Sequence, residues 1–124
     1  MFEVNVQSTF SSGHALRGYR GKCENQHGHN YQVRVTLAGE QLDECGMLID
    51  FKTISSMVNK VIEQLDHQNL NDLPAFQAVN PSAENLASFI YHGLQSQLKE
   101  QSIPATLRRV TLWETDRNSV EYSE

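Results

Sequence analysis

His29 to Leu37 reads H-N-Y-Q-V-R-V-T-L. Tyr31, Val33, Val35 and Leu37 alternate with Asn30, Gln32, Arg34 and Thr36. Successive side chains of a strand point to opposite faces, so this period of two describes a strand with one buried face and one wet face. Residues 2–10 repeat the pattern, with Phe2, Val4, Val6 and Phe10 opposed to Glu3, Asn5, Gln7 and Thr9. Ala38-Gly39-Glu40 reads as a turn, and Gly46–Phe51 as a short extended piece.

The period then changes. Ile54, Met57, Val58, Val61, Ile62 and Leu65 fall at helical spacing and form one apolar stripe. Asn71–Pro81, with two prolines, reads as a loop. A second helix carries Leu86, Phe89, Ile90, Leu94 and Leu98 on one face. Asn80-Pro81-Ser82 is its start signal, because Asn or Ser caps a helix and proline suits the first turn. After Pro104 come two more strands, Thr106–Thr115 and Val120–Tyr122, joined by the turn-like D-R-N.

The order is ββααββ. Strands and helices are segregated, so the fold class is α+β, a single domain over residues 1–124 with an antiparallel four-stranded sheet and both helices on one face. The outer strands are left as edges, which need pairing or protection. Association of subunits through sheet edges is expected.

Composition narrows the function. The net charge is −5, the wrong sign for a nucleic-acid-binding domain. No apolar run is long enough for a membrane span, and M-F-E-V-N-V-Q lacks the pattern of a signal peptide. Cys23 and Cys45 make no disulfide framework. A cytoplasmic protein with reduced thiols, no nucleic-acid partner and no membrane partner is expected.

The chemistry concentrates just before the opening stretch, in C-E-N-Q-H-G-H (Cys23–His29). His27 and His29 are two apart, so on a strand they share a face. His14 follows the first strand in F-S-S-G-H. A hairpin of the first two strands brings it beside the pair. Three neutral imidazoles suit zinc and leave a fourth position open, as a catalytic metal needs. Cys23 has three readings: a fourth ligand, an acid–base thiol beside the metal, or a loop thiol. Neighbouring Arg17, Arg20 and Lys22 would favour the thiolate. Asp66 and His67 follow the first helix, where the residues alone read as a helix terminus favourable to a histidine.

Six motifs in order then carry a resemblance over nearly the whole chain: F-S-S-G-H, C-E-N-Q-H-G-H, G-M-L-I-D-F (Gly46–Phe51), L-D-H (Leu65–His67), N-P-S-A-E-N (Asn80–Asn85) and L-W-E-T (Leu112–Thr115). The chain resembles the 6-pyruvoyltetrahydropterin synthase family, and most closely its bacterial 6-carboxy-5,6,7,8-tetrahydropterin synthases of queuosine biosynthesis. The resemblance implies a tunnelling fold (T-fold), with subunits joined edge to edge into a barrel and two barrels stacked, commonly as a homohexamer. It implies zinc held by His14, His27 and His29, and Cys23 as general base. It implies Asp66 and His67 as a second acid–base unit, the set being completed between subunits. Glu114 and Glu84 would anchor a pterin, since a carboxylate accepts two parallel N–H groups from its guanidine-like edge. Ser82 keeps a hydroxyl in the substrate-binding segment.

The implied substrate is 7,8-dihydroneopterin triphosphate and the implied reaction a zinc-dependent lyase reaction. Triphosphate is eliminated, and acetaldehyde is released to leave a carboxylate on C6. Arg17, Arg20 and Lys22 are candidates for the triphosphate. Ala83 and Gln68 depart from the commoner family pattern without removing an acid, base or ligand. Glu24 superimposes an E-x-x-H-G-H pattern, which some relatives use to cleave the dihydroneopterin side chain towards folate. Stopping at 6-pyruvoyltetrahydropterin, and a non-enzymatic module with Cys23 closing the zinc site, are the other readings.

Overall fold

A computed structural model describes residues 1–21 and 24–124. Its elements are β1 (Phe2–His14), β2 (His27–Gly39), α1 (Phe51–Ile62), α2 (Ala83–Glu100), β3 (Thr106–Trp113) and β4 (Ser119–Tyr122). They form one antiparallel sheet in the order β1-β2-β3-β4, with β1 and β4 at its edges. The expected ββααββ arrangement is present.

The alternation in β1 and β2 sets the burial. Val6, Phe10, Ser12 and His14 are buried on β1, and Tyr31, Val33, Val35 and Leu37 on β2. These faces meet Ile54, Met57, Val58 and Val61 of α1 and Leu86, Ile90 and Leu94 of α2 in one core. Each fully buried aliphatic or aromatic side chain there contributes roughly 1.5–3 kcal/mol. Phe10 and Tyr31, directly paired across the ladder, stack with ring centroids 4.7 Å apart. Gly93 lets the helices approach closely, since a Cβ there would lie 3.1 Å from Val61 Cγ2. Where the helices meet, Gln97 Nε2 donates to the buried carbonyl of Met57 at 3.0 Å.

Four boundaries differ from expectation. β1 runs on past residue 10 to His14, and β2 begins at His27, so all three histidines are strand residues. β3 ends at Trp113, short of Thr115. Gly46–Phe51 is not an extended strand piece. The Asp43 carboxylate accepts from the N–H groups of Cys45 (2.8 Å) and Met47 (3.0 Å), curling this segment into a turn. Asp50 then caps α1 by accepting from the Lys52 N–H at 2.8 Å. The Asn71–Pro81 loop contains a short 3-10 helix, Pro74–Phe76, which seats Phe76 in the core.

α1 also stops earlier than its apolar stripe, at Ile62. The chain winds on through turns, Asp66 N–H donating to the Ile62 carbonyl at 2.9 Å and His67 taking a left-handed φ of 56, so the two residues terminate the helical segment as expected. The segment also runs along the outer edge of β1: His67 N–H donates to the Ser11 carbonyl at 2.7 Å, and Gly13 N–H to the Gln68 carbonyl at 3.0 Å. No helix among the described residues is long and apolar enough to cross a membrane.

Candidate functional site

Register builds the site. His14 pairs with His27, and Ser12 with His29, at the last rungs of the β1–β2 ladder. Because His14, His27 and His29 occupy core-facing positions, their rings converge, with centroids 4.6–5.0 Å apart. One nitrogen from each lies within 4.8 Å of the other two.

Outer partners set which nitrogens converge. His14 Nδ1 is 2.7 Å from the Pro81 carbonyl oxygen, and His27 Nδ1 is 2.7 Å from that of Asn25. A carbonyl only accepts, so each Nδ1 carries the proton and each Nε2 keeps its lone pair. Among the described residues, the Nε2 atoms of His27 and His29 are buried and have no hydrogen-bond partner. Buried polar atoms without partners are uncommon and costly. These two nitrogens, together with one from His14, face one point and fit a borderline-soft dication such as zinc. Burial pushes the His29 imidazole below its ordinary value, while the Glu114 carboxylate opposes this. Burial thus favours the neutral ring that ligation requires.

Glu114 lies just past β3, at the rim of the cluster. Its carboxylate oxygens are 3.5 Å from His29 Nε2 and 3.9 Å from His14 Nε2. Among the described residues, the tight metal-capable set contains the imidazoles alone. Glu114 also faces a cleft of about 210 Å³ whose lining includes Glu84, Ser82, Asn118 and Ser119. The structure therefore brings the three residues expected at a pterin together beside the imidazoles. Ser82 has a second task as the cap of α2, its Oγ accepting from the Asn85 N–H at 3.2 Å.

Asp66 and His67 form a unit on the other side. Asp66 Oδ1 is 2.9 Å from His67 Nδ1 and accepts from the Ser11 N–H at 3.0 Å. The Ser11 N–H, followed by the His67 ring, holds the Asp66 carboxyl below its ordinary value. His67 adopts φ 56, a left-handed backbone uncommon outside glycine. That conformation turns its ring back onto the neighbouring carboxylate. His67 is 83 % exposed and lines an open cleft with His29 and Asn30.

Cys23, the expected general base, and Lys22 lie outside the described residues. Arg17 is committed elsewhere: its guanidinium donates to the carbonyls of Gln77 (2.7 Å) and Phe76. Arg20 is exposed. Tyr31 was read only as a core residue, yet its hydroxyl comes within 3.4 Å of His14 Nδ1. Its parity with His29 was the available signal.

The model of the 6-pyruvoyl tetrahydropterin synthase family matches residues 3–124. The chain belongs to this family. It is 40% identical to the human 6-pyruvoyl tetrahydrobiopterin synthase, over 97% of this chain and 90% of that protein. It is 33% identical to the 6-carboxy-5,6,7,8-tetrahydropterin synthase of Haemophilus influenzae, over the full length of both. The solved 6-pyruvoyl tetrahydropterin synthase of Caenorhabditis elegans superposes with a TM-score of 0.87 at 30% identity, covering 99% of this chain and 95% of that one. This member of the 6-pyruvoyl tetrahydropterin synthase family thus has the expected T-fold subunit. It is a pterin-synthase-family lyase, and its three histidines are placed to hold a metal ion.

Proposed function

We propose that this chain is a zinc-dependent carbon–carbon lyase that converts 7,8-dihydroneopterin triphosphate and water to 6-carboxy-5,6,7,8-tetrahydropterin, acetaldehyde and triphosphate, in queuosine biosynthesis. The observation that carries the reading is the convergence of His14, His27 and His29, with two buried Nε2 atoms lacking partners, beside a cleft holding two carboxylates. Family membership, with relatives named for this activity, supports it.

His14, His27 and His29 hold the ion through Nε2. Zinc supplies Lewis-acid polarisation of the substrate's side-chain oxygens, which acidifies the adjoining C–H. Glu114 and Glu84 accept N–H groups of the pterin and fix its side chain towards the imidazoles. The Cys23 thiolate takes the side-chain proton. Asp66 keeps the proton of His67 on Nδ1, so that Nε2 relays protons to and from the intermediate. His67 is exposed at the β1 edge, so it serves a site shared with a neighbouring subunit. A cytoplasmic homohexamer built through the β1 and β4 edges completes the proposal, with no nucleic-acid or membrane partner.

A second reading stops one step earlier, at 6-pyruvoyltetrahydropterin. It is supported by relatives of that kind at 32–41% identity, against 31–33% for those named as carboxy enzymes. The two differ by one hydrolytic carbon–carbon cleavage, which releases the last two side-chain carbons as acetaldehyde. Incubation with dihydroneopterin triphosphate, with acetaldehyde followed by a coupled NADH-dependent reduction, tests this. One acetaldehyde per triphosphate released is expected. Triphosphate without acetaldehyde would transfer the assignment to the pyruvoyl product. Glycolaldehyde still carrying the triphosphate ester, with no free triphosphate, would mark side-chain cleavage towards folate.

A further inference from the structure

The chain leaving β1 is held in an unusual way. Ala15 N–H donates to Asn71 Oδ1 at 2.8 Å, and Asn71 Nδ2 donates back to the Ala15 carbonyl at 2.9 Å. Two residues on, Arg17 N–H donates to Asn80 Oδ1 at 2.9 Å, and Asn80 Nδ2 returns a bond to the Arg17 carbonyl at 2.9 Å. A carboxamide offers the same donor and acceptor as a peptide group, so each asparagine replaces one rung of a neighbouring strand. These rungs continue the edge pairing that Gly13 makes with Gln68.

The clamp reaches the site from both ends. His14 sits between the rung at Gly13 and the rung at Ala15. The carbonyl of Asn80 accepts from Asn85 Nδ2 at 2.8 Å, and the next carbonyl, that of Pro81, is the partner of His14 Nδ1. Ser82 and Glu84 follow at once on α2. Asn71 and Asn80 line neither cleft and are not among the metal-capable residues.

We infer that Asn71 and Asn80 are positioning residues that lock His14 and its Pro81 carbonyl in place, and thereby set the affinity of the three-histidine centre for zinc. The inference rests on the metal-binding reading above. Outer partners of metal-bound histidines typically account for 10–100-fold in affinity when lost. A purely structural role would cost stability without touching the metal.

The test is zinc competition against a chromophoric chelator, using the full-length apo protein, alongside thermal melting. Asn71→Ala and Asn80→Ala are compared with Gln97→Ala, which also deletes an amide bound to a backbone carbonyl but at the α1–α2 contact. Both asparagine variants should weaken zinc, by up to the roughly 10–100-fold that loss of a direct outer partner costs. Gln97→Ala should lower the melting midpoint and bind zinc as wild type does. Wild-type zinc affinity in both asparagine variants overturns the inference. If an alanine variant fails to fold, Asn→Asp, which keeps the acceptor and loses the donor, takes its place in the same titration. A wild-type protein that takes up no zinc overturns the metal reading itself, a different result.

Discussion

His14 faces His27 as the terminal pair of the β1–β2 ladder. The metal-capable geometry is therefore a property of strand register. A slip of one residue would send every β2 side chain to the opposite face and scatter the imidazoles.

Zinc should stabilise the fold through this register-built set. A ligand at a hundredfold excess over its Kd adds about 2.7 kcal/mol. For a domain of this size that raises the melting midpoint by roughly 10 °C. His29→Ala should abolish the shift while leaving the apo protein folded, because the ring is at the head of the strand rather than in the central core. A calorimetric scan with and without zinc checks both statements. An equal shift in the variant would show that zinc acts elsewhere.

Glu114 should matter for substrate and not for metal. Glu114→Gln removes a charge-assisted acceptor worth about 1.5–3 kcal/mol, so kcat/KM should fall by roughly 10–100-fold. Zinc content should stay at the wild-type level, since among the described residues the three imidazoles form the metal-capable set without it. Metal analysis of the purified variant decides: loss of zinc would make Glu114 a ligand.

Asp66 should leave a signature in the acid limb of stability. Its carboxyl is held below the ordinary value of 3.8, first by the Ser11 N–H and then by His67. A group with a lowered folded-state pKa stabilises above its unfolded value, and that contribution is lost as pH falls through the folded one. The stability gap between wild type and Asp66→Asn should therefore be present at neutral pH and shrink below 3.8. Denaturant titrations at the two pH values check it, and a gap that does not change would refute it. The same variant should retain zinc and lose most of its turnover.

The sheet, both helices and the histidine trio were legible because they follow short periods. Val33 and Val35 alternate, Ile54 and Met57 are spaced for a helix, and His27 and His29 share a strand face. Much of what was hidden depends on contacts distant in sequence. Asp66–His67 does close the helical segment, but nothing local reveals its bonds to Ser11 or the left-handed turn at His67. Gly46–Phe51 looked extended because its controlling side chain, Asp43, precedes it. Asn80 and Ser82 were both open as the cap of α2; Ser82 takes that role, and Asn80 binds the Arg17 backbone. The resemblance supplied roles for Asp66, His67 and Glu114 that their own spacing did not.

The central claim is that the three imidazoles hold a catalytic zinc with one position left for substrate. X-ray absorption of the zinc-loaded protein, wild type and Cys23→Ala, tests it most directly. The expected result is one zinc per chain with only nitrogen and oxygen neighbours at about 2.0–2.1 Å in both proteins, and turnover lost in the variant. A sulfur neighbour at about 2.3 Å in the resting wild type, lost together with the metal in Cys23→Ala, would contradict it.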